Sequence, residues 1–108
     1  MDKTSITPDR ETAYQILSYM QSAMKKNGVN PCHIALFGSF LHGNNHPESD
    51  LDVIVISEAF KGKDDDQRIF MTIKAEDEVR KRNVVPMDIL TKTPEEYEKT
   101  CLESKIII

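Results

Sequence analysis

No apolar run in this 108-residue sequence approaches the ~20 residues that a membrane-spanning helix needs. The opening segment MDKTSITPDR has no apolar stretch resembling a secretory leader, which makes the cytoplasm the expected location. Cysteine is scarce. Cys32 and Cys101 lie far apart and belong to no CxxC or Cys/His ligand cluster, so two reduced, partly buried thiols are expected. A basic excess is missing too: the net charge is −4 and the pI about 5.3. That balance argues against a domain that grips long nucleic acid by its backbone, and leaves a small nucleotide open. Repeats and low-complexity segments are absent.

What is present fits one compact unit. A chain of this length buries roughly 65% of the surface its unfolded form exposes. That is enough for one core and too little for a separate substrate domain, so residues 1–108 are expected to form a single domain. The apolar fraction of 39% and charged fraction of 30% are ordinary for a soluble globular protein.

Elements alternate along the chain. Thr7-Pro8-Asp9 reads as a helix opening, with a capping hydroxyl, a proline at the first position and an acid in the first turn. Ala13, Ile16, Leu17, Met20, Ala23 and Met24 then repeat on one helical face, and Asn27-Gly28 supplies a left-handed stop. Ile34–Phe37 is a short buried strand ending at Gly38, and His33 at its head is a structural residue. Residues 39–49 form a turn or short helix followed by a polar loop. In Leu51–Ile56, Leu51, Val53 and Val55 alternate with Asp52, Ile54 and Ile56. Both faces are mostly apolar, which predicts a central strand.

A charged helix is predicted from Lys63 to about Arg82, with Ile69, Phe70, Ile73 and Val79 as its apolar side. The Asp64-Asp65-Asp66 triplet suits the helix start better than a metal site. Val84–Leu90 is a third strand, with Pro86 marking an edge position or a strand start. Thr93-Pro94-Glu95-Glu96 repeats the helix-opening chemistry, which predicts a helix over 94–104. The tail Ile106-Ile107-Ile108 is either a further strand or a partner contact. Together these predict an α/β (α+β) fold, a small mixed β-sheet flanked by helices.

The chemistry sits in the strand ends. Gly38-Ser39 is followed by ten residues and then Asp50-Leu51-Asp52. Residues two apart on a strand face the same way, about 6–7 Å apart, so Asp50 and Asp52 project together. Asp88 interrupts the third strand, and at a strand spacing of about 4.8 Å it reaches the same spot if that strand neighbours the second. Two such charges 5 Å apart repel by about 3 kcal/mol at an effective dielectric of 20. Nothing in a core strand calls for that. A divalent cation reverses the sign, because hard Mg²⁺ takes carboxylate and phosphate oxygens, and two such ions can serve both attacking and leaving oxygens. Gly38 lets backbone approach a phosphate, Ser39 and the following amides can donate to it, and Gly43 suits the same tight geometry.

The segment FGSFLHGNNHPESDLDVIVIS resembles the signature of the DNA polymerase β-like nucleotidyltransferase superfamily, and in particular its minimal nucleotidyltransferase branch. The pattern GSx₁₀DxD is met by Gly38, Ser39, Asp50 and Asp52, and the superfamily's third carboxylate falls on Asp88. The resemblance spans about residues 30–100. It implies a polymerase β palm-like fold and Mg²⁺-dependent transfer of a nucleoside monophosphate from a triphosphate, with release of pyrophosphate. Asp50, Asp52 and Asp88 would hold the metals, and Gly38 and Ser39 the β/γ-phosphates. ATP is the expected donor.

Branch members are often paired with a helical HEPN-domain protein, some pairs acting as toxin and antitoxin. Many relatives carry a basic residue before the second glycine, where this chain has His42. His42 and His46 are read as surface residues. At this length no acceptor-presenting domain is expected, and that role is expected to pass to a partner, to a second copy in a homodimer, or to nothing. The leading expectation is a hydroxyl on a HEPN-like protein. The alternatives are a non-catalytic module that masks such a partner, and transfer to a small hydroxyl compound such as an aminoglycoside.

Overall fold

The computed structural model describes residues 10–38, 41, 50–82 and 86–108. Helix α1 (Arg10–Lys26) is followed by strands β1 (His33–Phe37) and β2 (Leu51–Ile56) and a 3-10 turn, Glu58–Phe60. Helix α2 (Asp65–Arg82), strand β3 (Met87–Lys92), helix α3 (Pro94–Glu98) and strand β4 (Ser104–Ile106) complete the order. The sheet runs β3-β2-β1-β4 and is mixed: β1 is antiparallel to β2 and β4, while β2 and β3 are parallel. The predicted small mixed sheet flanked by helices is what forms.

The regular spacing of α1 does what it predicts. All six stripe residues are buried, packed with Leu36, Leu51, Val53, Val55 and Phe60 in the main core. Side chains of this kind contribute about 1.5–3 kcal/mol each on full burial. The helix stops as expected at Asn27-Gly28, where Gly28 adopts φ +99°. Gly28 N–H donates to Lys25 O at 3.2 Å and Val29 N–H to Met24 O at 2.9 Å, the two bonds of a Schellman closure. Val29 enters the core directly from this turn. The proposed opening at Thr7-Pro8-Asp9 lies outside the described residues.

Strand β2 is central, as its two apolar faces predict. Leu51, Val53 and Val55 face the main core, while Ile54 and Ile56 join Ala35, Phe37 and Tyr97 on the opposite face. Pro86 stands just ahead of β3, which is an edge strand.

Three expectations need correction. The buried side of α2 is Arg68, Thr72, Ala75 and Val79, whereas Ile69, Phe70 and Ile73 are 57%, 83% and 51% exposed. Small and polar side chains form this packing face. Thr72 satisfies its hydroxyl on Arg68 O at 3.1 Å, and Lys26–Glu78 and Arg82 over Tyr19 flank the contact with α1. The last helix ends at Glu98 rather than near 104: Lys99 N–H closes it onto Glu96 and Tyr97, and the chain turns to form β4. Cys32 is buried, with its thiol pushed up to about 11 by desolvation, but Cys101 is exposed.

Two other readings resolve. The acid triplet is a helix start, with Gln67 N–H donating to Asp64 Oδ1 at 2.8 Å and Asp64 N–H to Gln67 Oε1 at 2.9 Å. The apolar tail is a strand: Ala35 pairs with Ile106, and Ile107 N–H donates to Ile34 O at 2.9 Å.

One buried cation ties the helices to the sheet edge. The Arg68 guanidinium donates to Glu96 at 2.7 and 3.2 Å and to Lys63 O at 3.0 Å, and lies 5.7 Å from the Phe60 ring centre. Glu96 also accepts from Thr93 N–H at 2.8 Å, closing a capping box at α3. The Arg68 and Thr93 hydrogen bonds hold the Glu96 carboxyl at about 2, below its ordinary 4.5. Stability from this group is therefore complete above pH 4.5 and is lost as pH falls toward 2. Glu96→Gln is expected to cost about 1–2 kcal/mol in urea unfolding at pH 7, from the weakened cap and ion pair. The difference from wild type should close between pH 4.5 and 2.

Candidate active site

Strand β1 delivers the chain to Gly38, where φ turns to +74° and β1 ends. This backbone conformation favours glycine. A second constraint opposes a side chain: a Cβ built on Gly38 would force the Asp52 carboxylate aside, its Cγ standing only 3.1 Å away. Leu41 N–H donates to Gly38 O at 3.1 Å. Gly38 thus brings bare backbone against a carboxylate at a strand end. Ser39 and Gly43, expected to bind phosphate, lie outside the described residues, as do His42 and His46.

Asp52 is the second residue of β2, and its register partners are Phe37 on β1 and Asp88 on β3. Neighbours in register project to the same side of a sheet, one strand spacing apart at about 4.8 Å. The two carboxylates therefore face one another across the parallel pair. The start of this pair is fixed by Leu51 N–H donating to Pro86 O at 2.7 Å. Asp50 precedes β2 and is exposed, as is Asp88, while Asp52 is half-buried.

The electrostatics match the geometry. Burial raises the Asp52 carboxyl above the ordinary aspartate value, and the charges of Asp88 and then Asp50 raise it further. All three expected acids thus act on one spot. Among the described residues, no group of three or more His, Cys, Asp or Glu side chains is placed to hold a metal ion by itself. The set fits an ion that takes only part of its oxygen shell from protein and the rest from phosphate and water, as Mg²⁺ commonly does.

Sequence reasoning missed the neighbours of the acids. Phe37 sits beside Asp52 and pairs on its other side with Ser104 of β4. Tyr97 packs against Ile54 and Ala35, and its hydroxyl lies 2.8 Å from Ser104 Oγ. The acids therefore border an apolar floor that carries two hydroxyls. The alternation in β2 signals half of this floor. The position of Tyr97 was hidden by the overlong helix prediction, and that of Ser104 by the unassigned tail.

A mixed sheet with helices, a glycine turn at one strand end and carboxylates on the next two strands is the arrangement of a nucleotidyltransferase. The nucleotidyltransferase domain family matches residues 17–108, and the chain belongs to it. Among solved structures, a candidate nucleotidyltransferase from Sulfolobus solfataricus is similar at a TM-score of 0.62 and 16% identity, over 98% of this chain and 87% of that one. A second candidate nucleotidyltransferase is similar at a TM-score of 0.55 and 18% identity, over 85% of this chain and 97% of that one. At those identities the likeness is one of fold. No curated protein matches the chain. Among the described residues, no helix is long and apolar enough to cross a membrane.

The contact between Gly38 and Asp52 generates two predictions of opposite sign. Because the folded state raises the Asp52 carboxyl, it binds that proton more tightly than the unfolded chain does. Stability is thereby lost as pH rises from the ordinary aspartate value through the raised one. Asp52→Asn should match or exceed wild-type thermal stability at pH 7 without metal, with any gain vanishing below about pH 4. Gly38→Ala should lower stability by about 1–3 kcal/mol, because strained backbone and collision act together. Thermal unfolding of the three proteins in chelator decides both.

Proposed function

We propose that the chain transfers AMP from ATP to a hydroxyl group on a helical, HEPN-like protein partner. In this reading it is one domain that supplies the donor half of the reaction and acts as the antitoxin of the pair. The observation that carries the proposal is the in-register Asp52–Asp88 pair beside the side-chain-free backbone of Gly38. Such a pair is unfavourable alone and becomes favourable around a cation bearing a triphosphate.

Asp50, Asp52 and Asp88 are the residues that would hold Mg²⁺, with two ions accommodated among three carboxylates. Bound there, the metal would neutralise charge developing on the phosphates. Gly38 backbone, with Ser39 and Gly43, orients the β- and γ-phosphates. The acceptor oxygen forms a bond to the α-phosphorus as the bond to the bridging oxygen breaks, and pyrophosphate leaves with that electron pair. Asp88, the more exposed of the strand pair, takes the acceptor proton on a carboxylate oxygen and releases it to water. Catalysis of this kind rests on positioning and charge stabilisation.

A module that only masks its partner would need a contact surface of its own. The apolar tail, one source of such a surface, is engaged with β1. A masking surface would therefore lie elsewhere on the chain.

Incubation with labelled ATP, Mg²⁺ and the helical partner should label the partner. Asp52→Asn and Asp88→Asn should each lower the rate by roughly 10²-fold or more. Absence of transfer by wild type, or equal transfer by Asp52→Asn, contradicts the proposal. Partner neutralisation that survives in Asp50→Asn/Asp52→Asn would assign the chain to masking.

A further inference from the structure

The exposed side of α2 has a composition that an exposed helix face does not need. Phe70 is 83% exposed, with Ile69 at 57% and Ile73 at 51%. At 100° per residue, these three share an arc of about 100° with Asp66, Asp77 and Arg80. The arc lies away from the buried stripe Arg68, Thr72, Ala75 and Val79, so folding of the chain alone leaves it in water. Shallow depressions run along it, lined by Asp66 and Phe70 toward the helix start and by Ile73, Asp77 and Arg80 toward its end. An apolar cluster rimmed by charges is the usual make-up of a protein contact.

The charges identify the occupant. Asp65 and Asp66 stand in the first turn of α2, and Arg80, Lys81 and Arg82 in the last. Asp66 and Arg80 each lie seven residues from Ile73, at opposite ends of the same stripe. When two α2 helices run antiparallel about a twofold axis at Ile73, Asp66 of each copy stands level with Arg80 of the other. Ile73 meets its own copy on the axis, with Phe70 and Ile69 on either side. Sliding to a centre between Thr72 and Met71 sets Asp66 against Asp77 and Lys63 against Arg80. The face is therefore complementary to itself when centred on Ile73, and self-complementarity is the requirement for an isologous twofold interface.

We propose that a second copy of this chain covers the exposed face of α2, forming an antiparallel helix pair centred on Ile73. The pairing leaves the carboxylate site untouched and does not depend on the reaction assigned to it. A contact built on one helix per copy is at the small end of specific interfaces. The dimer is accordingly reversible and dissociates on dilution.

Sedimentation velocity of the full chain over a concentration series tests this. The mass should rise from 12.3 kDa toward twice that value. Ile73→Glu places like charges on the axis and should give monomer throughout. Asp66→Arg and Arg80→Asp should each weaken association at least about tenfold, and the double exchange should recover most of it. These side chains lie on the outer face, and unchanged melting temperatures confirm intact folding of each variant. In a Cys101→Ser background, Ile73→Cys should form a crosslinked dimer on mild oxidation far faster than Asp77→Cys.

Wild type that stays monomeric up to roughly 500 μM overturns the proposal, since a specific contact would associate below that. So does a dimer indifferent to Ile73→Glu, or a double exchange no tighter than its single parents. If the monomer instead binds a different protein and Phe70→Glu abolishes that binding, the face belongs to that partner and self-pairing is wrong.

Discussion

Two like-charged carboxylates, one strand spacing apart beside a largely apolar sheet face, repel at every pH where both are ionised. Asp52 and Asp88 are in this position because β2 and β3 run parallel and in register. Burial, Asp88 and Asp50 all push the Asp52 carboxyl toward its neutral form. The surrounding structure tolerates this arrangement and shows no device to relieve it among the described residues. Among the described residues no cationic side chain pairs with either acid, and the bare backbone of Gly38 is set against Asp52 instead. A partner of positive charge would resolve the repulsion, and under the proposed function that partner is a metal carrying phosphate.

The rest of the fold keeps those acids in place. Parallel neighbours require a crossover, and here it consists of a 3-10 turn and α2. The crossover is clamped at its start by Arg68, which joins α2 to Glu96 on α3 and to Thr91 O on β3. Ser57, which accepts from Ala59 N–H at 3.0 Å, caps the 3-10 turn directly after β2. Helix α1 covers the opposite side of the sheet and contributes the largest share of the apolar core. The face proposed to react is left to Phe37, Tyr97, Ser104 and the acids. Stability and chemistry thus occupy opposite faces of one sheet, connected through β2, whose residues alternate between them.

Legibility of the sequence followed this division. The stripe of α1, the stop at Gly28 and the alternation in β2 rest on simple periodicity and one glycine conformation, and all three appear as read. The neighbourhood of Asp52 and Asp88 was readable because an acid inside an apolar strand has few structural uses. Helix α2 was misread because its packing face contains Arg68 and Thr72, whose polar groups are satisfied by contacts distant in sequence or by the helix backbone. Its conspicuous apolar residues face water instead. The extent of α3 was misread because good opening chemistry says nothing about where a helix stops, and here pairing of β4 with β1 sets the limit. The phosphate-side readings at Ser39 and Gly43 lie outside the described residues.

The central claim is that a metal–triphosphate complex is held between β2 and β3 at the end of β1. Paramagnetic broadening of backbone amide signals by Mn²⁺ with a non-hydrolysable ATP analogue tests it most directly. Broadening should be strongest at Phe37, Gly38, Asp50–Val53 and Met87–Ile89, and should be weak at Asp64–Asp66, where acids are equally dense but serve a helix start. Strongest broadening at Asp64–Asp66, or none localised to the ends of β1, β2 and β3, would contradict the account.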